Sequence, residues 1–316
     1  MLPRANVGCR APDHFAVLED GLARRDRPNR KLVAEIDRLK HFNFENVLSL
    51  GPMAVSLFLS FTDYNMLQAP DWVGFDNYAR MESDPRFLKA LEVTFTYVLL
   101  GVPLQLLTAF SLALFLNRGL KGLPLFRAIF YIPSILGPSV AVAILWRQMF
   151  GLEGIFNELL SIFNIAPKSW VADPSTSLYT LITLLVWQFG SPMIIFLAGL
   201  KQIPETLYEA AAIDGAGPFR RFWNITLPSL TPIIFFNLVM QIINAFQAFT
   251  PAYIVGGGQG GAIDSTLFYT LYLYIKAFTE FKMGYASALA WVLLVICGVF
   301  TWLLFLSSRK WVHYES

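Results

Sequence analysis

An all-α membrane protein crossing the bilayer six times is the fold class this sequence predicts, and three observations carry the prediction. Of 316 residues, 55% are apolar and 15% charged, against about 25% charged in an ordinary soluble domain. Several long stretches contain no Asp, Glu, Lys or Arg at all. The basic residues between those stretches fall in alternate loops. Mean hydropathy is +0.52, and Phe alone supplies 28 residues. The net charge of +2 carries no basic excess that would mark a nucleic-acid binder. Cys9 and Cys297, with His14, His41 and His313 scattered near the ends, fit neither a disulfide framework nor a metal site. Such a composition points away from a soluble enzyme.

A spanning helix needs about 20 largely apolar residues to cross about 30 Å of hydrocarbon. Residues 47–61 are the shortest candidate, reaching roughly 22 Å at 1.5 Å per residue. They span if the bilayer thins or Glu45 sits at the interface; the alternative is a segment lying on the surface. Residues 93–117, 128–146 and 174–200 are charge-free and long enough. The charge-free run 222–263 is too long for one span and holds one helix followed by a Gly-rich loop. Residues 283–308 supply the last. The spans are placed near 47–61, 94–116, 128–148, 178–200, 230–250 and 285–307. Residues 1–45 read as a solvated tail of mixed charge (Arg24, Arg25, Asp26, Arg27) with one short helix near 31–40. That tail lacks the basic stretch, apolar core and small-residue cleavage site of a secretory signal. Residues 46–316 form one membrane domain.

Charge sets the orientation, because Lys and Arg concentrate in short cytoplasmic loops. Loop 118–127 carries Arg118, Lys121 and Arg127 with no acid, which places it inside. Segment 62–92 is then outside, with acids outnumbering bases, as they do in loop 149–177. Loop 201–229, with Lys201, Arg220 and Arg221, and the tail with Arg309 and Lys310 are inside. The first 46 residues are rich in bases and also inside. Every segment alternates correctly only if 47–61 crosses, so both termini are cytoplasmic.

Most motif matches fail on context. Gly256 to Gly261 formally satisfies a dinucleotide fingerprint, but it follows a span and lacks the βαβ setting that chemistry needs. A flexible external turn is expected there. No Gly-Lys dipeptide is present to build a phosphate-cradling loop, so any ATP must be bound by another subunit. Loop 201–229 is more informative. Pro204 suits the first turn of a helix, Glu205 favours its positive end, and the run Glu209–Ile213 consists of good helix formers. Gly215 can take the left-handed conformation that ends such a helix. A second short helix from Phe219 to about Ile225 should stop before Pro228.

Within that loop Glu209-Ala210-Ala211, then Gly215, Ile225 and Leu227-Pro228 stand at fixed spacing. This pattern resembles the signature of inner-membrane permease subunits of ATP-binding-cassette importers. Phe61-Thr62-Asp63-Tyr64, Phe126-Arg127-Ala128-Ile129-Phe130-Tyr131-Ile132-Pro133 and Met283-Gly284-Tyr285-Ala286-Ser287-Ala288-Leu289-Ala290 extend the resemblance to sugar permeases of the maltose and glycerol-3-phosphate type. It covers about residues 50–316, departing at a short first span and at Gln259, where sugar permeases usually have Pro. The resemblance implies a type I importer permease fold in the inner or plasma membrane. It also implies a second permease subunit, two cytoplasmic ATP-binding subunits and an extracytoplasmic solute-binding protein. Glu209, Ala210, Ala211, Asp214, Gly215, Ala216, Ile225, Leu227 and Pro228 would form the loop that couples to the ATPases.

Polar side chains inside a span usually face a bundle interior or an aqueous path. Asn237, Gln241, Asn244 and Gln247 recur at helical spacing on one stripe of the fifth span. Trp187, Gln188 and Ser191 fall within one turn of the fourth. Amides that donate and accept, beside a flat apolar Trp face, suit a neutral polyhydroxylated solute; alternatively, they hydrogen-bond helix to helix. By the resemblance, Asn244 and Gln247 fall on the sugar-contacting helix. The expected function is one permease subunit of a binding-protein-dependent sugar importer working by alternating access. The runner-up is an importer permease for an amino acid or phosphate. A channel or stand-alone secondary transporter would need an acid within the spans or an internal repeat, and a membrane enzyme would need a catalytic cluster; the sequence has neither. No catalytic group, cofactor or metal is expected on this chain.

Overall fold

The computed structural model describes residues 48, 50–118 and 122–312. The expected tail 1–45, the start of the first span and Lys121 lie outside these residues. The chain divides into two compact units after Phe58. Helix α1 (Leu50–Ser60) is apolar but short of a full span, and Leu50, Met53, Val55 and Phe58 are exposed along it.

The second unit is helical apart from one two-residue pairing, β1 (Thr62–Asp63) antiparallel to β2 (Asp71–Trp72), with Thr62 opposite Trp72. Helix α2 (Asp76–Ser83) leads into α3 (Pro85–Leu116), 32 residues and roughly 48 Å long. The apolar run placed the start of this span near 94; α3 begins nine residues earlier because Asp84 caps it. The Asp84 carboxylate accepts the backbone N–H groups of Arg86 and Phe87, and Pro85 occupies the first position, where no donor is needed.

The third expected span is not one straight helix. It is a pair, α4 (Leu123–Leu136) and α5 (Val140–Met149), bent by 95°. Pro138 at the joint has no N–H with which to continue the ladder. Ser139 is extended (ψ 148°) and caps α5 by accepting from Val142 N. Helix α6 (Ile155–Ser161) lies in the following loop. Helices α7 (Ser177–Trp187) and α8 (Gly190–Leu200) together make a 24-residue apolar segment.

Next come α9 (Glu205–Ile213) and α10 (Pro218–Arg221), then a π turn at Phe222–Thr226 and α11 (Leu227–Ser229). Pro228 therefore does not stop the second arm, as the sequence suggested. The wider π turn, closed by Leu227 N to Phe222 O, absorbs the donor that proline lacks. Helices α12 (Thr231–Phe246) and α13 (Thr250–Val255) form a 25-residue apolar segment. Helix α14 (Tyr269–Tyr274) runs into a π turn at Ile275–Thr279, and α15 (Met283–Trp311) closes the chain. Among the described residues, four helical segments are long and apolar enough to cross a membrane, or five if the bent pair counts as one.

Helix α3 is the centre of the core. Small residues on it, Gly101, Ala109 and Ala113, permit close approach. A Cβ on Gly101 would lie 2.7 Å from Leu185 Cδ2 of α7. Phe110 meets Phe196 of α8 edge-on at 5.4 Å, and Phe95 meets Phe246 of α12 at 5.5 Å. By contrast, Val295, Val299, Trp302 and Phe305 leave much of α15 exposed and apolar.

The Gly-rich loop forms a turn, as expected, and it folds back on itself through hydrogen bonds. Gly257, Gly258, Gly260 and Gly261 all have positive φ, and the loop closes through Gly261 N to Gly256 O (3.0 Å) and Thr266 N to Gly260 O (2.9 Å). The Arg86 guanidinium fastens it to α3. It donates to both Asp264 carboxylate oxygens (3.0 and 2.8 Å) and to Gln259 O (3.2 Å).

Candidate functional site

The break between α7 and α8 follows from one residue. Pro192 cannot donate to the carbonyl four residues back, so Gln188 O is left without its helical partner. Two side chains take it instead: Gln105 Nε2 of α3 donates at 3.0 Å and Ser134 Oγ of α4 at 2.9 Å. Ser134 Oγ in turn accepts from Ser191 N at 2.8 Å. Gly190 lets α8 reach α4 closely enough for this, since a Cβ there would lie 2.4 Å from Phe130 O. Gly137 gives way to the Gln188 side chain in the same manner, at 2.3 Å.

This junction forms one wall of a cavity of about 490 Å³. Gln188 and Ser191 line it from the α7–α8 break, and Gln241, Asn244 and Gln247 line it from α12. Five of the six residues proposed for the substrate path therefore share one space. The sixth, Trp187, is not on the wall; its ring lies 6.0 Å from that of Trp146, whose Nε1 donates to Thr180 O at 2.9 Å. The stripe on α12 also divides. Asn237 is fully buried away from the cavity, and its Nδ2 donates to Ile233 O at 3.2 Å.

Sequence reasoning missed Tyr97, Gln105, Ser134 and Thr250, which complete the polar lining with Phe249 and prolines between them. Gln105 carried a visible signal, an amide inside a charge-free stretch; nothing local marked the other three. Among the described residues, the lining contains no Asp, Glu, Lys or Arg. The cavity thus offers neutral donors and acceptors next to aromatic faces, which is the chemistry that hydroxyl-rich solutes match.

At one end of the helices, loop 201–229 folds as a helical hairpin. Gly215 turns at φ +72°, Ala216 N bonds Ala211 O at 2.8 Å, and Arg221 Nε locks the turn on Ala216 O at 2.7 Å. Tyr208 and Thr226 join the two arms through their hydroxyls at 2.9 Å. Glu209, Ala210, Asp214 and Gly215 are exposed, Ala211 and Ala216 partly so. Ile225, Leu227 and Pro228 are half-buried where the second arm enters α12. Ile213 and Phe219 are 88% and 78% exposed beside the turn, an apolar tip that the described residues leave uncovered.

At the other end a polar cluster ties α3, α14 and α15. Asp84 accepts from the Tyr272 hydroxyl and, at 3.3 Å, from that of Tyr285. Lys276 lies 5.2 Å over the Tyr272 ring and pairs with Glu280 at 3.0 Å. Burial pushes the Asp84 carboxyl up, but the Tyr272 hydroxyl, the two capped amides and the Lys276 charge outweigh it and hold the carboxyl below its ordinary range.

Comparison with known proteins adds to this geometry. The family described as "Binding-protein-dependent transport system inner membrane component" matches residues 81–313. The probable ABC transporter permease YesP of Bacillus subtilis is 57% identical over 267 residues, 84% of this chain and 86% of the relative. The lactose transport system permease LacF of Rhizobium radiobacter is 33% identical, covering 84% of this chain and 90% of the relative. A chain of the crystal structure of a bacterial alginate ABC transporter, solved with an alginate-bound periplasmic protein, shares the fold. Its TM-score is 0.75 over 91% of this chain and 96% of that one, at 21% identity.

Proposed function

The chain belongs to the family of binding-protein-dependent transport system inner membrane components, and from that premise we propose that it is one of two permease subunits of an ATP-driven sugar importer. The observation that carries the sugar reading is the cavity wall of neutral amides and hydroxyls assembled from α3, α4, the α7–α8 break and α12. Relatives named for lactose and for trehalose and maltose transport support the same class of solute. The protein is a multi-pass inner-membrane component and the translocating part of its system.

In this reading the chain crosses six times, with α1 as the first crossing and both termini in the cytoplasm. ATP is bound and hydrolysed on two separate cytoplasmic subunits. Loop 201–229 receives their motion through its exposed tip, with Glu209, Ala210, Ala211, Asp214, Gly215 and Ala216 at the contact. Ile225, Leu227 and Pro228 pass that motion into α12. An external solute-binding protein delivers the sugar to the opposite side. The helices then rock so that the cavity faces each side in turn around a roughly fixed site. Gln241, Asn244 and Gln247 would exchange hydrogen bonds with sugar hydroxyls as these leave water, assisted by Gln188 and Ser191. Trp187 acts behind that wall.

The experiment replaces Asn244 and Gln247 with Leu and measures uptake and ATP hydrolysis on the same reconstituted complex. Each unmet hydroxyl should cost about 1–3 kcal/mol, so uptake should fall roughly tenfold or more while basal hydrolysis is little changed. Full uptake, or loss of uptake together with assembly and hydrolysis, would remove these residues from the sugar path.

A further inference from the structure

Two of the sequence segments that marked the family resemblance meet at one end of α15. The Gly284 N–H donates to Tyr64 O at 3.0 Å, and a Cβ on Gly284 would lie 1.9 Å from Thr62 O. Segment Phe61–Tyr64 is therefore seated on the first turn of α15, a 29-residue apolar span. Its level along that span is set by Gly284. Lys282 and Glu280 immediately before α15 mark where the apolar helix meets water.

From this seat the chain makes a hairpin and returns through β2. Asn77 Nδ2 holds the base on Ser60 O and Thr62 O at 3.0 and 2.9 Å, and Val73 N closes it on Phe61 O at 2.9 Å. Between Asp63 and Asp71 the hairpin carries no charged residue. At its tip Met66 is 51% and Leu67 88% exposed. Asn65 Oδ1 accepts the backbone N–H groups of Leu67 and Gln68 at 3.1 and 3.0 Å, which supplies partners that water would otherwise provide. Beside the tip stand Trp72 and Phe75, 65% and 74% exposed, both in ring contact with Phe61. Trp at the end of a span is the residue type that gathers at membrane–water interfaces.

We propose that the 61–75 hairpin is a membrane-interface anchor, with Met66 and Leu67 inserted among the outer-leaflet acyl chains and Trp72 and Phe75 at the headgroups. A lipid surface fits better than a protein partner. The tip is uncharged and pairs the Leu67 and Gln68 amides with its own Asn65 side chain, and it is fixed at the level where an apolar span leaves the bilayer. The choice of the outer leaflet rests on the orientation proposed above; the anchor itself does not.

The test places an NBD fluorophore on Leu67→Cys, and separately on Ala69→Cys, in the assembled complex in proteoliposomes. All other cysteines are replaced by Ser. Lipids carrying a nitroxide high on the acyl chain should quench both labels several-fold more than aqueous iodide does, as expected about 5–10 Å into the headgroup–acyl boundary. A label on Glu82→Cys, on the exposed side of α2, should show the reverse. Adding the solute-binding protein should leave the Leu67 signal unchanged. Iodide quenching at Leu67 and Ala69 equal to that at Glu82 would overturn the anchor. So would shielding that develops only when the binding protein is added, which would make the hairpin a protein-docking surface. Lipid quenching together with a cytoplasmic topology reporter in the hairpin would support the anchor and overturn the proposed orientation.

Discussion

Pro192 and Ser134 show how much of this fold rests on single donors. By lacking an N–H, Pro192 frees the Gln188 carbonyl, and the Ser134 hydroxyl then serves two backbone groups, donating to Gln188 O and accepting from Ser191 N. Ser134→Ala leaves Ser191 N–H without this acceptor and takes one of two donors from Gln188 O. Each group left unpaired costs about 1–3 kcal/mol, so the purified complex should melt at lower temperature. An unchanged melting curve would show that water replaces the hydroxyl without loss. Gly284 is a second such position, because the atom its Cβ would strike is a backbone oxygen at 1.9 Å, which no rotamer change relieves. Gly284→Ala should destabilise by about 1–3 kcal/mol, whereas Gly298→Ala, with nothing within 4 Å, should be close to neutral. Equal melting temperatures for the two variants would contradict the seat of Thr62 on α15.

At the scale of elements, the 201–229 hairpin separates conformation from packing. The Gly215 position has φ +72° but nothing within 4 Å of an added Cβ. Gly215→Leu should therefore cost only the left-handed backbone penalty, about 1–2 kcal/mol, and leave the chain inserted and assembled. If the hairpin transmits ATPase motion, solute-stimulated hydrolysis should nevertheless stop. Normal coupled transport would take this loop out of the mechanism.

The start of α3 makes a prediction about pH. Asp84 titrates below the ordinary 3.8, so the stability it contributes is complete above that value and is lost as pH falls through its lower folded value. The protection factors of the capped Arg86 and Phe87 amides should hold at pH 5 and fall only below the ordinary 3.8. A loss of protection centred above that value would mean that burial, not Tyr272 and Lys276, dominates the carboxylate.

For the whole molecule, charge alternation predicts that reporters fused after Lys121 and Arg221 read as cytoplasmic and those after Asp76 and Gly260 as external. A cytoplasmic signal at Asp76 would show that α1 does not cross. That outcome is the informative one, since α1 is the shortest apolar helix described at this end of the chain.

Apolar runs and charged loops are local properties, and they were enough to locate the helical segments near 94–116, 178–200, 230–250 and 285–307. The left-handed turn at Gly215 was likewise legible, because glycine's backbone freedom needs no distant partner. The 95° bend of α4 and α5 was hidden inside a single apolar run, since hydropathy records how apolar a segment is and not which way it points. Asp84 was overlooked as the start of α3 because a cap lies outside the apolar run. The cavity shows the same limit. Gln188, Ser191, Gln241, Asn244 and Gln247 stood out as polar residues in apolar stretches, yet Trp187, one residue from Gln188, turns to Trp146 and Asn237 is buried in its own helix. Which side chains reach a common space depends on helix rotation and on the α7–α8 break. Both are set by contacts between residues far apart in the chain, such as Gln105 and Ser134 on Gln188 O.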